Sequence, residues 1–555
     1  MEFKDIPNGG TSQMPIPGVS VNEQTGSIRI EEGPIPTPQG VAPAPGPIAA
    51  QVEADKQAVL RRMREESFRH LGKYALIFAL LYVLCLYKNR TGITYPIYAL
   101  GALWLIWKER KEAGAARRVT EDAARKGMHL FYAVAILLLA VSRATTMDSF
   151  LHFFDWAAMV LLTLSLLISV YTGTENESFL AQLGALVHAW VLPLIHLAVP
   201  FLDWSAFRRS KREAAGKGGK KSTGMYILIG LLISVPLLAV IISLLASADL
   251  VFSRILERMI YGWSLPDFFG DLVGILFFFC AAFLCIYIWM SRTAETNFRV
   301  KEITTSWEPV IAITFNALIA VVYLLFSGIQ FVYLVGHMEL PGGYTYAEYA
   351  HEGFYQLLAV VILNLILVSF CKKFFGKNRA LQILLLIISL CTYIMIASAG
   401  MRMILYVQAY GFTRLRIYVL WALVALAYCM SVLTVSIFRE HTKVYRLCVI
   451  FVTCWYLAFA FSHPDAWIAR YNLSLDKRDD YLVYDTSLDA ATVIHEAGGV
   501  LSDRYFKQHN EEMADYMEGN LYYRIRHFNT SLWSASKYYD HELHVKEGNG
   551  SRYDP

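Results

Sequence analysis

Eleven long apolar stretches, separated by short loops, run from Leu71 to Phe461. A helix crosses the hydrocarbon layer with about 20 apolar residues at about 1.5 Å rise per residue. Inside lipid every backbone N–H and C=O must be satisfied by the protein, which a helix does locally and a loop or open strand does not. The pattern therefore predicts an all-α fold, a polytopic transmembrane helical bundle. Its expected spans are 71–87, 92–107, 127–142, 153–171, 224–246, 268–290, 309–335, 354–371, 380–408, 417–438 and 447–462. A mean hydropathy of +0.40, with 56% hydrophobic and 17% charged residues, excludes an ordinary soluble chain.

Lys and Arg favour cytoplasmic loops, so their distribution orients the bundle. With the N-terminus inside, the cytoplasmic connections 61–69, 108–126, 203–222, 291–301, 372–379 and 439–446 hold 28 Lys and Arg, and the outer loops hold seven. The expectation is a plasma-membrane protein with a cytoplasmic N-terminus and an extracytoplasmic C-terminus. Segment 179–201 is apolar enough to span, but spanning would put the basic run from Arg208 to Lys221 outside. It also carries Pro193, Pro200, His188 and His196. It is read as re-entrant or interfacial.

Around the bundle, 1–53 reads as a disordered cytoplasmic tail, rich in Pro and Gly, and 54–70 as a basic juxtamembrane helix. The transmembrane domain is 71–462, followed by an extracytoplasmic helical region, 463–555, with helices expected near 486–498, 500–517 and 519–540. No apolar core of a cleavable signal peptide appears in the first 50 residues. The basic residues orient the chain, and no nucleic-acid partner is expected. All eight cysteines fall in apolar segments, without CxxC spacing, so neither a disulfide framework nor a metal site is expected.

Ionisable groups at membrane depth are costly and are functional candidates for that reason. Arg402 is the clearest. Asn316, Gln330 and Asn364 are polar within spans and fit interhelical hydrogen bonds. The loop 336–354 places Thr345 and Glu348 at capping-box spacing, and Glu348 and Glu352 on one helical face. Asp249 begins a short amphipathic helix, and Arg414 and Arg416 lie in YGFTRLR (410–416). Asp249, Glu348, Glu352, Arg402, Arg414 and Arg416 thus form a candidate ligand site on the outer face. No catalytic residue, metal or cofactor is assigned: the chain has no GxxxxGK[ST], GxSxG or HExxH motif.

The phrases SADLVF (247–252), YLVGHMELPGGYTYAEYAHEGF (333–354), YGFTRLR (410–416), PDAWIARYN (464–472) and YLVYDTSLDA (481–490) together resemble an uncharacterised family of bacterial multi-pass membrane proteins. The resemblance covers roughly 70–540 and implies a bacterial plasma-membrane location, with no established activity. Two positions depart from that family's pattern: His351, where a basic residue is usual, and His463, where asparagine is usual. The reading is a non-enzymatic sensor, transport-related protein or envelope accessory protein. Its expected partners are the bilayer, envelope lipids or an extracytoplasmic ligand, and other membrane proteins. The alternatives are a membrane-embedded enzyme on a lipid-linked or envelope substrate, and a solute or ion transporter.

Overall fold

The computed structural model describes residues 19–21, 28–30, 47–112, 123–172, 179–214, 267–295, 307–336, 354–439, 441–477 and 480–538, with isolated positions between 230 and 255. The chain divides into two compact units, Met1–Leu60 and Arg61–Pro555. In the first, β1 (Val19–Val21) and β2 (Ile28–Ile30) pair antiparallel, Val19 opposite Ile30, within the segment expected to be a disordered tail.

The described part of the second unit is helical. Most of α1 (Pro47–Leu86) belongs to it; this helix carries charged residues from Glu53 to Lys73 and is apolar beyond. α2 (Thr94–Glu112), α3 (Ala123–Ser142), α4 (Ser149–Thr172), α5 (Phe179–Ile195) and α6 (Val199–Ala214) follow. After them come α7 (Asp267–Glu295), α8 (Pro309–Gly336), α9 (Phe354–Phe374), α10 (Arg379–Tyr410), α11 (Arg414–Phe438) and α12 (Val444–Ala460). Among the described residues α1, α3, α4, α7, α8, α9, α10 and α11 are long and apolar enough to cross a membrane. That gives eight, or up to ten if each of two bent helix pairs is one span.

Three of the expected eleven are not among these eight: 92–107, 224–246 and 447–462, the last being α12, which passes only as a pair with the helix Pro464–Ser474, bent by 58°. α2 runs into Lys108-Glu109-Arg110-Lys111-Glu112, which shortens its apolar part below a full crossing. The segment 224–246 lies outside the described residues apart from isolated positions. Segment 179–201 folds as α5 and the start of α6, which meet at 56°. Pro193 and Pro200 flank that bend: Pro193, inside α5, removes a backbone donor from the helical ladder, and Pro200 stands in the first turn of α6, where a donor has no helical partner.

Polar residues within the bundle are used between helices. Asn364 donates to Thr392 Oγ1 (2.9 Å) and accepts from Tyr323 Oη (2.7 Å), and Asn316 of α8 donates to Cys371 Sγ of α9 (3.4 Å). All eight cysteines are unbridged.

The chain after α12 builds a cap with its own core. It comprises α13 (Pro464–Ser474), α14 (Asp480–Tyr484), a 3-10 turn at Leu488–Ala490, α15 (Ala491–Ala497), α16 (Gly499–Glu518), α17 (Leu521–Arg526) and α18 (Thr530–Ala535). Ile468, Leu482, Leu488, Ile494, Tyr505 and Met513 are buried together at its centre. The single helix expected over 519–540 is instead α17 and α18, because Asn529 takes an extended conformation and caps α18 through Ser531 N and Leu532 N.

Candidate functional site

The cap sits on one end of the bundle, where the α1–α2, α3–α4 and α10–α11 connections also lie. Asn529, fully buried, donates to Thr91 Oγ1 (2.8 Å) and to Thr146 O (2.7 Å). Arg526 donates to Tyr87 O. Gly92, at φ +119, fits against the cap because a Cβ there would come within 2.6 Å of Arg526 O. Gly411, at φ +78, ends α10 in the same way: a Cβ would sit 2.6 Å from Asn472 Oδ1. That oxygen accepts from Phe412 N (2.7 Å), and Asn472 Nδ2 donates to Phe412 O (2.9 Å).

Three fully buried carboxylates gather at this joint. Asp465, in the first turn of α13, accepts from Arg414 Nε (3.0 Å), Arg414 Nη2 (2.5 Å) and Ser487 N (2.7 Å). Asp148, just before α4, lies 3.6 Å from Arg414 Nε and caps α4 through Phe150 N (2.9 Å). Asp489 accepts from Met147 N (2.7 Å), from Thr146 Oγ1 and, at 3.3 Å, from His463 Nδ1. His463 has φ +52, a region that Asn and His enter more readily than most residues, which accounts for either of them at this place. Arg414 is 18% exposed and its backbone N–H donates to Tyr481 Oη (2.7 Å).

The electrostatics follow from two carboxylates sharing one guanidinium. Burial pushes the Asp148 carboxyl up to about 7, the charge of Asp465 adds to this, and Arg414 opposes it. Asp489 behaves oppositely. Burial favours its neutral form, but the bonds from His463, Thr146 and Met147 N outweigh burial and hold it below the usual carboxylate range. Nearby, Arg143 is almost wholly buried, donates to His152 O and Arg90 O, and lies over the Tyr95 ring at 4.2 Å.

The residues singled out from the sequence are placed differently from one another. Arg414 is at the centre of the joint. Arg416, two residues on, points elsewhere: it donates to Gly411 O and stacks 4.0 Å over Tyr406. Arg402 donates to Gln330 Oε1 (3.3 Å), which also accepts from Ser398 (2.6 Å), within the membrane-spanning part of α8 and α10. Asp249 is exposed and caps its own short helix through Val251 N (2.7 Å). Glu348 and Glu352 lie outside the described residues. Arg402, Arg414, Arg416 and Asp249 are thus drawn to different groups: Gln330, Asp465, Gly411 O with the Tyr406 ring, and Val251 N. Among the described residues no group of three or more His, Cys, Asp or Glu is arranged to hold a metal ion.

Asp148, Asp465, Asp489, Arg143 and Asn529 were not singled out as site residues. Each is one polar residue in a loop or a first helical turn. The one signal available was the pair of aspartates in PDAW (464–467) and SLDA (487–490), phrases that also carry the family resemblance.

A family model described as Domain of unknown function (DUF4153) matches residues 133–497, from within α3 to the end of α15. No curated protein and no solved structure matches the chain.

Proposed function

The chain belongs to the DUF4153 family, and we propose that it is a non-enzymatic sensor or accessory protein of the cell envelope. Its working part is the C-terminal cap, presented on the outer face of the plasma membrane. The observation that supports this reading is the saturation of the charged joint. The side chains of Asp148, Asp465 and Asp489 are each 0% exposed, and their oxygens are taken by Arg414, His463, Tyr418 and backbone N–H groups from four separate chain segments. Carboxylates used in this way couple a cap to a bundle; a general base needs an oxygen that a substrate can reach. The polar groups at membrane depth follow the same logic, since Asn364 and Gln330 are bonded to neighbouring helices. The outward basis of the orientation is the basic-loop bias, which puts the cap on the side poor in Lys and Arg.

The test separates a joint from a catalytic centre. A strain lacking the protein is complemented with a variant in which both charges are removed, Arg414→Met with Asp465→Asn. A joint keeps its cap and complements the deletion phenotype. A folded double variant that fails to complement overturns the reading in favour of direct chemistry by these groups.

A further inference from the structure

The end of the bundle opposite the cap carries a different kind of surface. Arg64 of α1 lies 23 residues before Tyr87, the residue that follows the helix, or about 34 Å along its axis, roughly one bilayer core away from the cap. There α6 packs beside α1. The Phe68 and Phe207 rings are 5.5 Å apart, and Arg64 Nε comes to 4.0 Å from Asp203. α6 is buried at its start and exposed at its end: Val199, Pro200, Phe201 and Asp203 are buried, whereas Arg208, Arg209 and Lys211 are exposed.

Between α1, α6 and α7 is a cleft of about 190 Å³, lined by aromatic residues including Phe68, Phe201, Trp204, Phe279 and Phe283. Trp204 belongs to both features, because the Arg208 guanidinium lies 5.4 Å above its ring. The cations differ in how far they are used. Arg69 is paired with Glu65, and Arg209 with Glu213 at 3.0 Å. Among the described residues Arg208, Lys211 and Arg212 have no acidic partner.

We infer that this face is a binding site for an anionic phospholipid. Arg208, Lys211 and Arg212 hold the phosphate, and the aromatic cleft takes the first part of one acyl chain. Guanidinium groups match phosphate oxygens in charge and fork geometry. Basic residues beside a membrane surface attract anionic lipid. The cleft selects a lipid over a soluble phosphate, since it lies against a membrane-spanning helix, and a free anion would leave its aromatic walls uncovered. A tryptophan between cations and cleft is where an interfacial aromatic residue sits, at headgroup level.

The test is native mass spectrometry of the full chain in detergent, given equal amounts of palmitoyl-oleoyl phosphatidylglycerol and phosphatidylcholine. The expected result is preferential retention of phosphatidylglycerol. Each cation contributes about fivefold in affinity, so Arg208→Gln with Lys211→Gln lowers that retention roughly 25-fold and leaves phosphatidylcholine unchanged. Arg208→Lys keeps most of it, and Phe279→Ala lowers it with the charges intact. Equal binding of the two lipids overturns the proposal, as does no change in a double variant that unfolds at the wild-type temperature. Displacement of the lipid by a hundredfold excess of inorganic phosphate also overturns it, by showing a plain anion site.

Discussion

Replacing Arg414 by methionine removes the one guanidinium that Asp465 and Asp148 share. Asp465 loses bonds of 3.0 and 2.5 Å, and Asp148 loses a cation 3.6 Å away. Both carboxylates are 0% exposed, so water cannot take over. Methionine keeps much of the packing against Phe150, whose ring is 5.7 Å from the guanidinium, so the measured change reports mainly on charge. Removing one partner of a buried ion pair costs about 3–5 kcal/mol. At about 1.4 kcal/mol per tenfold, the cap should open from the bundle about a hundredfold to about four thousandfold more often. Limited proteolysis of the full chain in detergent reads this directly where cleavage tracks the population of the open form. Cuts should appear within 463–555 while the bundle stays intact. Adding Asp465→Asn should restore most of the protection, because it removes the stranded charge. An increase below about tenfold, or about 1.4 kcal/mol, would refute the reasoning. A failure of Asp465→Asn to rescue would do the same.

The other predictions concern the same joint. The folded state keeps the Asp148 proton up to about pH 7, whereas an ordinary aspartate releases it near 3.8. Between these values the folded state binds more protons, so this contribution to stability is complete below about pH 4 and is lost as pH rises through about 7. Thermal unfolding in detergent between pH 5 and 8 should show that downward trend, and Asp148→Asn should flatten it; an unchanged slope in the variant would contradict the assignment. Gly411→Ala should cost about 1–3 kcal/mol, since alanine at φ +78 is strained and meets Asn472 Oδ1, and an unaltered Tm would contradict this. Asn529→Ala should lower Tm by more than any exposed substitution on α17, because it takes one bond from each of buried Thr91 and Thr146 and both cap bonds from the start of α18, at about 1–3 kcal/mol for a group left unsatisfied.

Much of the bundle was legible because membrane spans are a one-dimensional signal. α4, α8, α9, α10 and α11 each carry an apolar run of span length, and the interhelical use of Asn364 follows from the cost of a lone polar group in lipid. α2 misled because its apolar part looks like a short span until its charged end is counted. The joint was not legible for a different reason. Thr146 and Asp489 are 343 residues apart in the chain, and no local period links them. Arg414 and Arg416 illustrate the limit of collecting charges by proximity in sequence. Residues two apart on a helix lie on different faces, so one turns inward to Asp465 and the other to Tyr406.

The most direct test of the proposed role is the side of the membrane on which the cap stands. Val500 is 74% exposed on α16, and Ser210 lies on α6 at the opposite end of the bundle. In intact cells an impermeant maleimide should label Val500→Cys, and should label Ser210→Cys only after the membrane is opened. Labelling of Ser210→Cys in intact cells with Val500→Cys protected would put the cap inside and contradict an outward-facing working part.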